Sequence, residues 1–123
     1  MILLDSNVII YATKPEYESV RNYIATIEPA VSVISKIEVL GYHKLSQVQR
    51  IRLQNLFQTI PVLPVTEDVV AWAITLRQRR RISLGDALIA GTALAFDLSL
   101  CTANVKDYAW IEELDLINPL EMG

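Results

Sequence analysis

One cysteine and one histidine are all that this chain of 123 residues offers to a soft or borderline metal. Tetrahedral zinc sites draw on Cys and His repeated at close spacing, so no such site can be built here. A single thiol closes no internal disulfide. Cys101 lies in the apolar run LSLCTA and reads as a small core residue, and a reducing cytoplasm is the expected setting. The lone imidazole, His43, reads as a surface or partly buried helix residue. No Ser/His or Cys/His pair is in sight for covalent catalysis, and no second histidine for acid–base work with the first. Positive charge is also short: 11 Lys and Arg against 14 Asp and Glu leave a net charge of −3. The field of the whole protein therefore does not advertise a nucleic-acid binder. No apolar run reaches the roughly 18 residues of a membrane span. The opening MILLD is too short, and too soon charged, for a signal peptide. No internal repeat, low-complexity segment or linker divides the chain, so residues 1–123 are expected to form one domain.

Apolar residues, by contrast, are plentiful, at 52% of the chain with a mean hydropathy of +0.32. Without a membrane segment, that surplus belongs in a core and in a buried subunit interface, so a homodimer is expected. Periodicity places the elements. Ile2–Leu4 is a short strand stopping at Asp5. Residues 16–28 carry Val20, Tyr23, Ile24 and Ile27 at helical spacing, with Pro29 as the stop. The β-branched run at 30–35 reads as a strand. The next helix starts at Ser35, with Glu38 at capping-box spacing. Residues 46–60 read as a helix with Val48, Ile51, Leu56 and Phe57 as its apolar stripe. The prolines in IPVLPV suggest an edge strand. Thr66 caps a helix running to Arg80. A nearly all-apolar helix with Asp86 at its head follows, then the strand 98–103, a loop over 104–111 and a strand at 114–119. Strands separated by helices imply a mainly parallel sheet of about five strands, covered on both faces, in a three-layer α/β/α domain.

In such sheets ligands bind outside the carboxyl ends of the strands. Asp5 ends the first strand, Glu38 begins the helix after the second, and Asn104 and Asp107 follow the fourth. Asp86 heads the helix that runs back into that fourth strand. All can converge on one edge. Singly, each has a plainer role. Asp5 and Asn7 suit a strand-to-helix turn, Glu38 suits a capping partner of Ser35, and Asp86 suits one of Ser83. Together they conflict, because two carboxylates about 4 Å apart repel by roughly 4 kcal/mol at an effective dielectric near 20. A hard divalent cation relieves that repulsion, and all-oxygen donors suit Mg²⁺, with Mn²⁺ as the alternative. Upstream lies LRQRRRIS, whose Arg79, Arg80 and Arg81 are candidate phosphate contacts or a solvated helix end.

The ordered set LLDSNVIIYA, VSVISKIEVLGY and ISLGDALIAGTALAFDLSLCTANVKDY resembles PIN-domain proteins, and most of all the VapC-type toxins of toxin–antitoxin pairs. The likeness runs from Ile2 to about Pro119. It implies a ribonuclease whose acidic residues hold Mg²⁺ or Mn²⁺. Asp5, Glu38 and Asp86 match the three core acidic positions; Ser6 and Thr102 match the accompanying hydroxyls. The fourth position falls to Asn104 or Asp107, and Asn104 brings an oxygen but no charge. The resemblance also implies an antitoxin that wraps the toxin and an RNA substrate, a tRNA or ribosomal RNA loop. Its rival is a non-catalytic PIN-like module that binds RNA or protein. Phosphohydrolase and receiver domains are disfavoured, because LLDSN lacks their second acid.

Overall fold

The computed structural model describes residues 1–122. Strand β1 is Ile2–Leu4, followed by helix α1 (Ser6–Ala12), a 3₁₀ turn at Pro15–Tyr17 and helix α2 (Glu18–Ala25). Strand β2 (Pro29–Ser32) leads to α3 (Val33–Leu40) and α4 (Gln47–Thr59). Strand β3 (Val62–Leu63) leads to α5 (Glu67–Arg79) and α6 (Leu84–Ala95). Then come β4 (Ser99–Cys101), α7 (Val105–Tyr108), β5 (Leu116–Ile117) and a closing 3₁₀ turn, Pro119–Glu121.

All five strands are parallel, in the order β3-β2-β1-β4-β5. The chain builds outward from β1 to β3, then returns to the other side of β1 for β4. The direction of winding thus reverses between β1 and β4, and a crevice opens beyond their carboxyl ends. The proline-flanked β3 sits at an edge, as its sequence suggests. Successive residues point to opposite faces of the sheet. Leu3, Ala30 and Leu100 join one apolar layer with Leu76 of α5 and Ile89, Ala90 and Ala93 of α6. Their neighbours Leu4, Val31 and Cys101 join the other with Val8, Ile9, Val20, Val39, Leu53 and Phe57 of α1 to α4. This is the expected α/β/α sandwich.

Four local expectations need correcting. The strand expected at 30–35 stops at Ser32, whose Oγ accepts from the Ile34 amide at 3.0 Å and so caps α3. That cap, and the packing of α3, override the β-propensity of Val33 and Ile34. Ser35 is therefore inside the helix, not its cap, and Glu38 lies in the second turn. Helix α2 ends at Ala25, three residues before Glu28, and Pro29 opens β2 instead of stopping the helix. The buried stripe of α4 is Leu53 and Phe57, whereas Val48 and Ile51 are 59% and 51% exposed. The expected loop at 104–111 contains helix α7.

Helices α5 and α6 pack closely because Gly91 has no side chain. A Cβ there would lie 2.9 Å from the Val69 carbonyl oxygen and 3.3 Å from the Ala73 nitrogen, both backbone atoms. Gly91→Ala is expected to destabilise the protein by a net amount of about 1–2 kcal/mol, overpacking outweighing the gain in helix propensity. An unchanged urea midpoint would show that the two helices can move apart freely.

Candidate metal centre at the sheet switch point

Asp5 leaves β1 at the crevice and is only 5% exposed. Its amide donates to the Cys101 carbonyl at 2.9 Å, which extends the β1–β4 pairing to the last residue. Its Oδ1 accepts from the Ser6 amide at 2.8 Å, and its Oδ2 accepts from the Thr102 hydroxyl at 2.8 Å. The carboxylate is thereby fixed from the head of α1 and from the end of β4. Burial raises its pKa above the ordinary value, and the nearby Asp86 charge adds to this; the hydrogen bonds from Thr102 and Ser6 oppose it. Thr102 is fully buried and its Oγ1 also accepts from the Asn104 amide at 3.0 Å, which shapes the turn into α7.

Asp86 arrives from the opposite direction. Ser83 caps α6 by accepting from the Asp86 amide at 3.2 Å, so the SLGD spacing does make a cap. The carboxylate of Asp86 is used elsewhere. Its Oδ1 accepts from the Tyr108 hydroxyl at 3.0 Å, and that same hydroxyl stands 3.4 Å from Asp5 Oδ2. Tyr108 is 1% exposed. Burial and the two carboxylates push its pKa far up, so it remains a proton donor. Cys101 is held inert in the same way, with burial and Asp5 pushing its thiol up to about 12.

Glu38 joins from α3. Ser6 Oγ lies 2.9 Å from Glu38 Oε1, to which it donates, and 3.0 Å from the Ser35 hydroxyl. Glu38 Oε2 lies against α6, since a Cβ at Gly85 would sit 2.8 Å from it. The missing side chain is what lets Glu38 approach the turn that carries Asp86. Gly85→Ala is expected to leave stability unchanged or slightly raised, because the clash is with the end of a flexible side chain. It is also expected to displace Glu38 and so reduce activity; full activity would remove Glu38 from the site.

Asp5, Ser6, Glu38, Asp86 and Thr102 are thus brought together. Asn104 and Asp107 lie alongside on α7 and its cap, both exposed. Asp107 shares a depression of about 240 Å³ with Asp86, Arg80, Arg81, Lys106 and Trp110. Arg79 faces away: it makes a two-pronged ion pair with Glu113 at 2.8 and 2.9 Å. His43 is exposed beside the Tyr42 ring. The expected tight cluster of acids is looser than anticipated. Among the described residues, no three His, Cys, Asp or Glu side chains are close enough to hold one ion by themselves. The Tyr108 hydroxyl separates Asp5 from Asp86, and Ser6 holds Glu38 to one side. This still suits Mg²⁺, which takes one or two carboxylates and keeps several waters for the rest of its shell. The donors are all oxygen, and the Asn7 side-chain oxygen, on the helical turn after Asp5, is buried without a partner.

Tyr108 was not legible as a site residue in advance. The available signal was an aromatic residue inside a polar loop, followed three positions on by Ile111, which marks a buried helical turn.

Comparison with known proteins agrees with this architecture. Residues 2–109 match the PIN domain family. Ribonuclease VapC10 of Mycobacterium tuberculosis is 33% identical over 123 residues, spanning 93% of this chain and 90% of that protein. Among solved structures, VapBC2 from Rickettsia felis, bound to a promoter DNA fragment, has a TM-score of 0.84 at 25% identity, covering 96% of this chain and 98% of that one. VapBC-1 from nontypeable Haemophilus influenzae has a TM-score of 0.81 at 26% identity, covering 98% and 99%. A toxin–antitoxin complex from Klebsiella pneumoniae has a TM-score of 0.79 at 26% identity, covering 97% and 98%. Aligned along nearly its whole length with such relatives, the chain belongs to the PIN-domain family, in its VapC-type group.

Proposed function

We propose that the protein is a metal-dependent endoribonuclease and the toxin of a toxin–antitoxin pair. The observation that carries this reading is the meeting of Asp5 and Asp86 at the Tyr108 hydroxyl, in the switch-point crevice, with Glu38 tied in through Ser6. The names of the relatives support it: one is a ribonuclease, and others are toxin–antitoxin complexes. Asp5 and Asp86 would hold Mg²⁺, or Mn²⁺, with Glu38 and either Asn104 or Asp107 at the rim. When bound, such an ion lowers the pKa of a water and polarises a phosphodiester oxygen. The side chains do the rest. Thr102 and the Ser6 amide fix the Asp5 carboxylate, and Tyr108 keeps its proton and orients Asp86 by donating to it. Glu38 Oε1 is occupied by Ser6, so Oε2 is left to accept a hydrogen bond from the attacking water. Arg81 and Lys106 draw in the phosphate chain beside the acids. In-line attack by water leaves a 5′-phosphate and a 3′-hydroxyl.

The substrate is an RNA loop of tRNA or ribosomal RNA, the partner is a protein antitoxin, and the toxin works in the cytoplasm as a one-domain homodimer. The test is end-group mapping of RNA cut by the purified protein. Chelation is expected to stop cleavage and Mg²⁺ or Mn²⁺ to restore it. Cyclic-phosphate ends, or full activity in EDTA, would overturn the mechanism. Intact RNA under every condition would favour a binding module.

A further inference from the structure

Beside the carboxylates stands a group of side chains that metal-assisted hydrolysis does not use. The indole of Trp110 lines the depression that holds Asp86 and Asp107. Its Nε1 donates to the Asp107 carbonyl at 2.9 Å, and it packs against the core layer that contains Tyr108 and Ile111. The ring is therefore anchored. Over it lies the guanidinium of Arg80, with its central carbon 5.5 Å from the ring centroid. Arg80 is the residue at which α5 ends, and its backbone is extended there, so it leaves the helix line and turns into the depression. Two carboxylates, Asp86 and Asp107, border the same depression, yet the ion pair found among the described residues belongs to Arg79 and Glu113. Arg80 is held by an aromatic face instead. Arg81 and Lys106 complete the wall.

A free phosphate clamp needs cations that reach outward; it does not need one of them laid on an indole. A guanidinium on an aromatic ring is a planar, positively charged platform, and unpaired nucleobases stack on such planes. We propose that the Arg80–Trp110 pair is a subsite for one unpaired base of the RNA, next to the phosphodiester that is cut, with Arg81 and Lys106 on the flanking phosphates. The inference rests on the ribonuclease reading and names its substrate class: a single-stranded segment or loop with a base free to unstack. Duplex RNA, whose bases are engaged on both faces, does not fit. Lysine cannot replace Arg80, because an ammonium keeps the charge but offers no plane.

The test uses the intact protein and a short single-stranded RNA, in versions that each lack the base at one position. Binding is read by anisotropy in EDTA, so that no RNA is cut. For the parent protein, one position is expected to stand out, and loss of its base is expected to weaken binding by about 5- to 150-fold, the range of base–aromatic stacking. Arg80→Lys and Trp110→Leu are expected to abolish the difference between the complete and base-free RNAs at that position. Trp110→Leu retains apolar volume against the core; should it fail to fold, Arg80→Lys decides alone, being a surface change. The salt dependence of Arg80→Lys binding is expected to match the parent, since no charge is lost. The proposal is overturned if no position stands out, or if the same base remains necessary in Arg80→Lys. Cleavage by the parent protein with Mg²⁺ is scored separately. RNA that binds base-specifically in EDTA but is never cut would sink the ribonuclease reading and leave the Arg80–Trp110 pair as a base subsite of an RNA-binding module. RNA that is cut with no such base dependence would do the reverse.

Discussion

Asp5→Asn is expected to lose RNA cleavage by more than about 100-fold, beyond the usual effect of residues one step removed from a metal. The metal-free variant is expected to be at least as stable as the parent. The two effects have one cause. The Asp5 carboxyl is buried and faces the charge of Asp86, and both raise its folded-state pKa. The folded protein therefore holds a proton that the unfolded chain has released, between the ordinary carboxyl value near 3.8 and the raised value. The stabilising contribution is complete below that window and is lost as pH rises through the raised folded-state pKa. Above that window, without metal, an ionised Asp5 opposes folding. Asparagine keeps the shape and an oxygen for the Ser6 amide but carries no charge. Urea titrations in EDTA are expected to show the parent gaining on Asp5→Asn as pH falls through the raised pKa towards 3.8. A clear loss of stability in Asp5→Asn at pH 7 would mean that the carboxylate is a structural fixture. Asp86→Asn is likewise expected to lose cleavage without losing stability, since Ser83 caps α6 through the residue 86 amide, which the change leaves intact.

Much of this was legible in the sequence because the signals were long or doubled. The element order follows from apolar runs and their spacing, and the edge position of β3 from its prolines. The placement of Asp5, Glu38 and Asp86 at one edge follows from parallel topology alone, since helices that return to a strand begin where the previous strands end. What was missed turned on local choices between near-equal options. Ser32 and Ser35 are three residues apart, and either can begin a helix; only the hydrogen bond to the Ile34 amide decides. The sequence does not single out the buried stripe of α4, because Val48 and Ile51 are as apolar as Leu53, and the facing surface decides which side is buried. Arg79 reads like Arg80 and Arg81 in a run of cations, but Glu113, 34 positions on in sequence, claims it. Capping logic predicted the amide bond of Asp86 correctly and was silent on where its carboxylate goes. That depends on Tyr108, which nothing local connects to Asp86.

Tyr108→Phe isolates that connection. The change removes one oxygen and keeps the ring that fills the core between α6 and α7, so folding is expected to survive with a loss of about 1 kcal/mol for the hydrogen bond. The functional effect is expected to be larger. The hydroxyl has a single proton to give, and two acidic side chains stand at 3.0 and 3.4 Å from it. Without it, Asp86 loses its only side-chain donor among the described residues, and the two carboxylates face one another across an unfilled gap. Metal affinity is expected to fall by about 10- to 100-fold, as it does when a ligand loses the partner that orients it. Because the carboxylates themselves remain, saturating Mn²⁺ or Mg²⁺ is expected to recover most of the cleavage rate, whereas Asp5→Asn stays inactive at any metal concentration. A titration of activity against metal separates the two variants. A parent-like curve for Tyr108→Phe would make the hydroxyl a core hydrogen bond with no part in holding the ion. A defect that metal cannot repair would instead place the Tyr108 proton in the cleavage step itself.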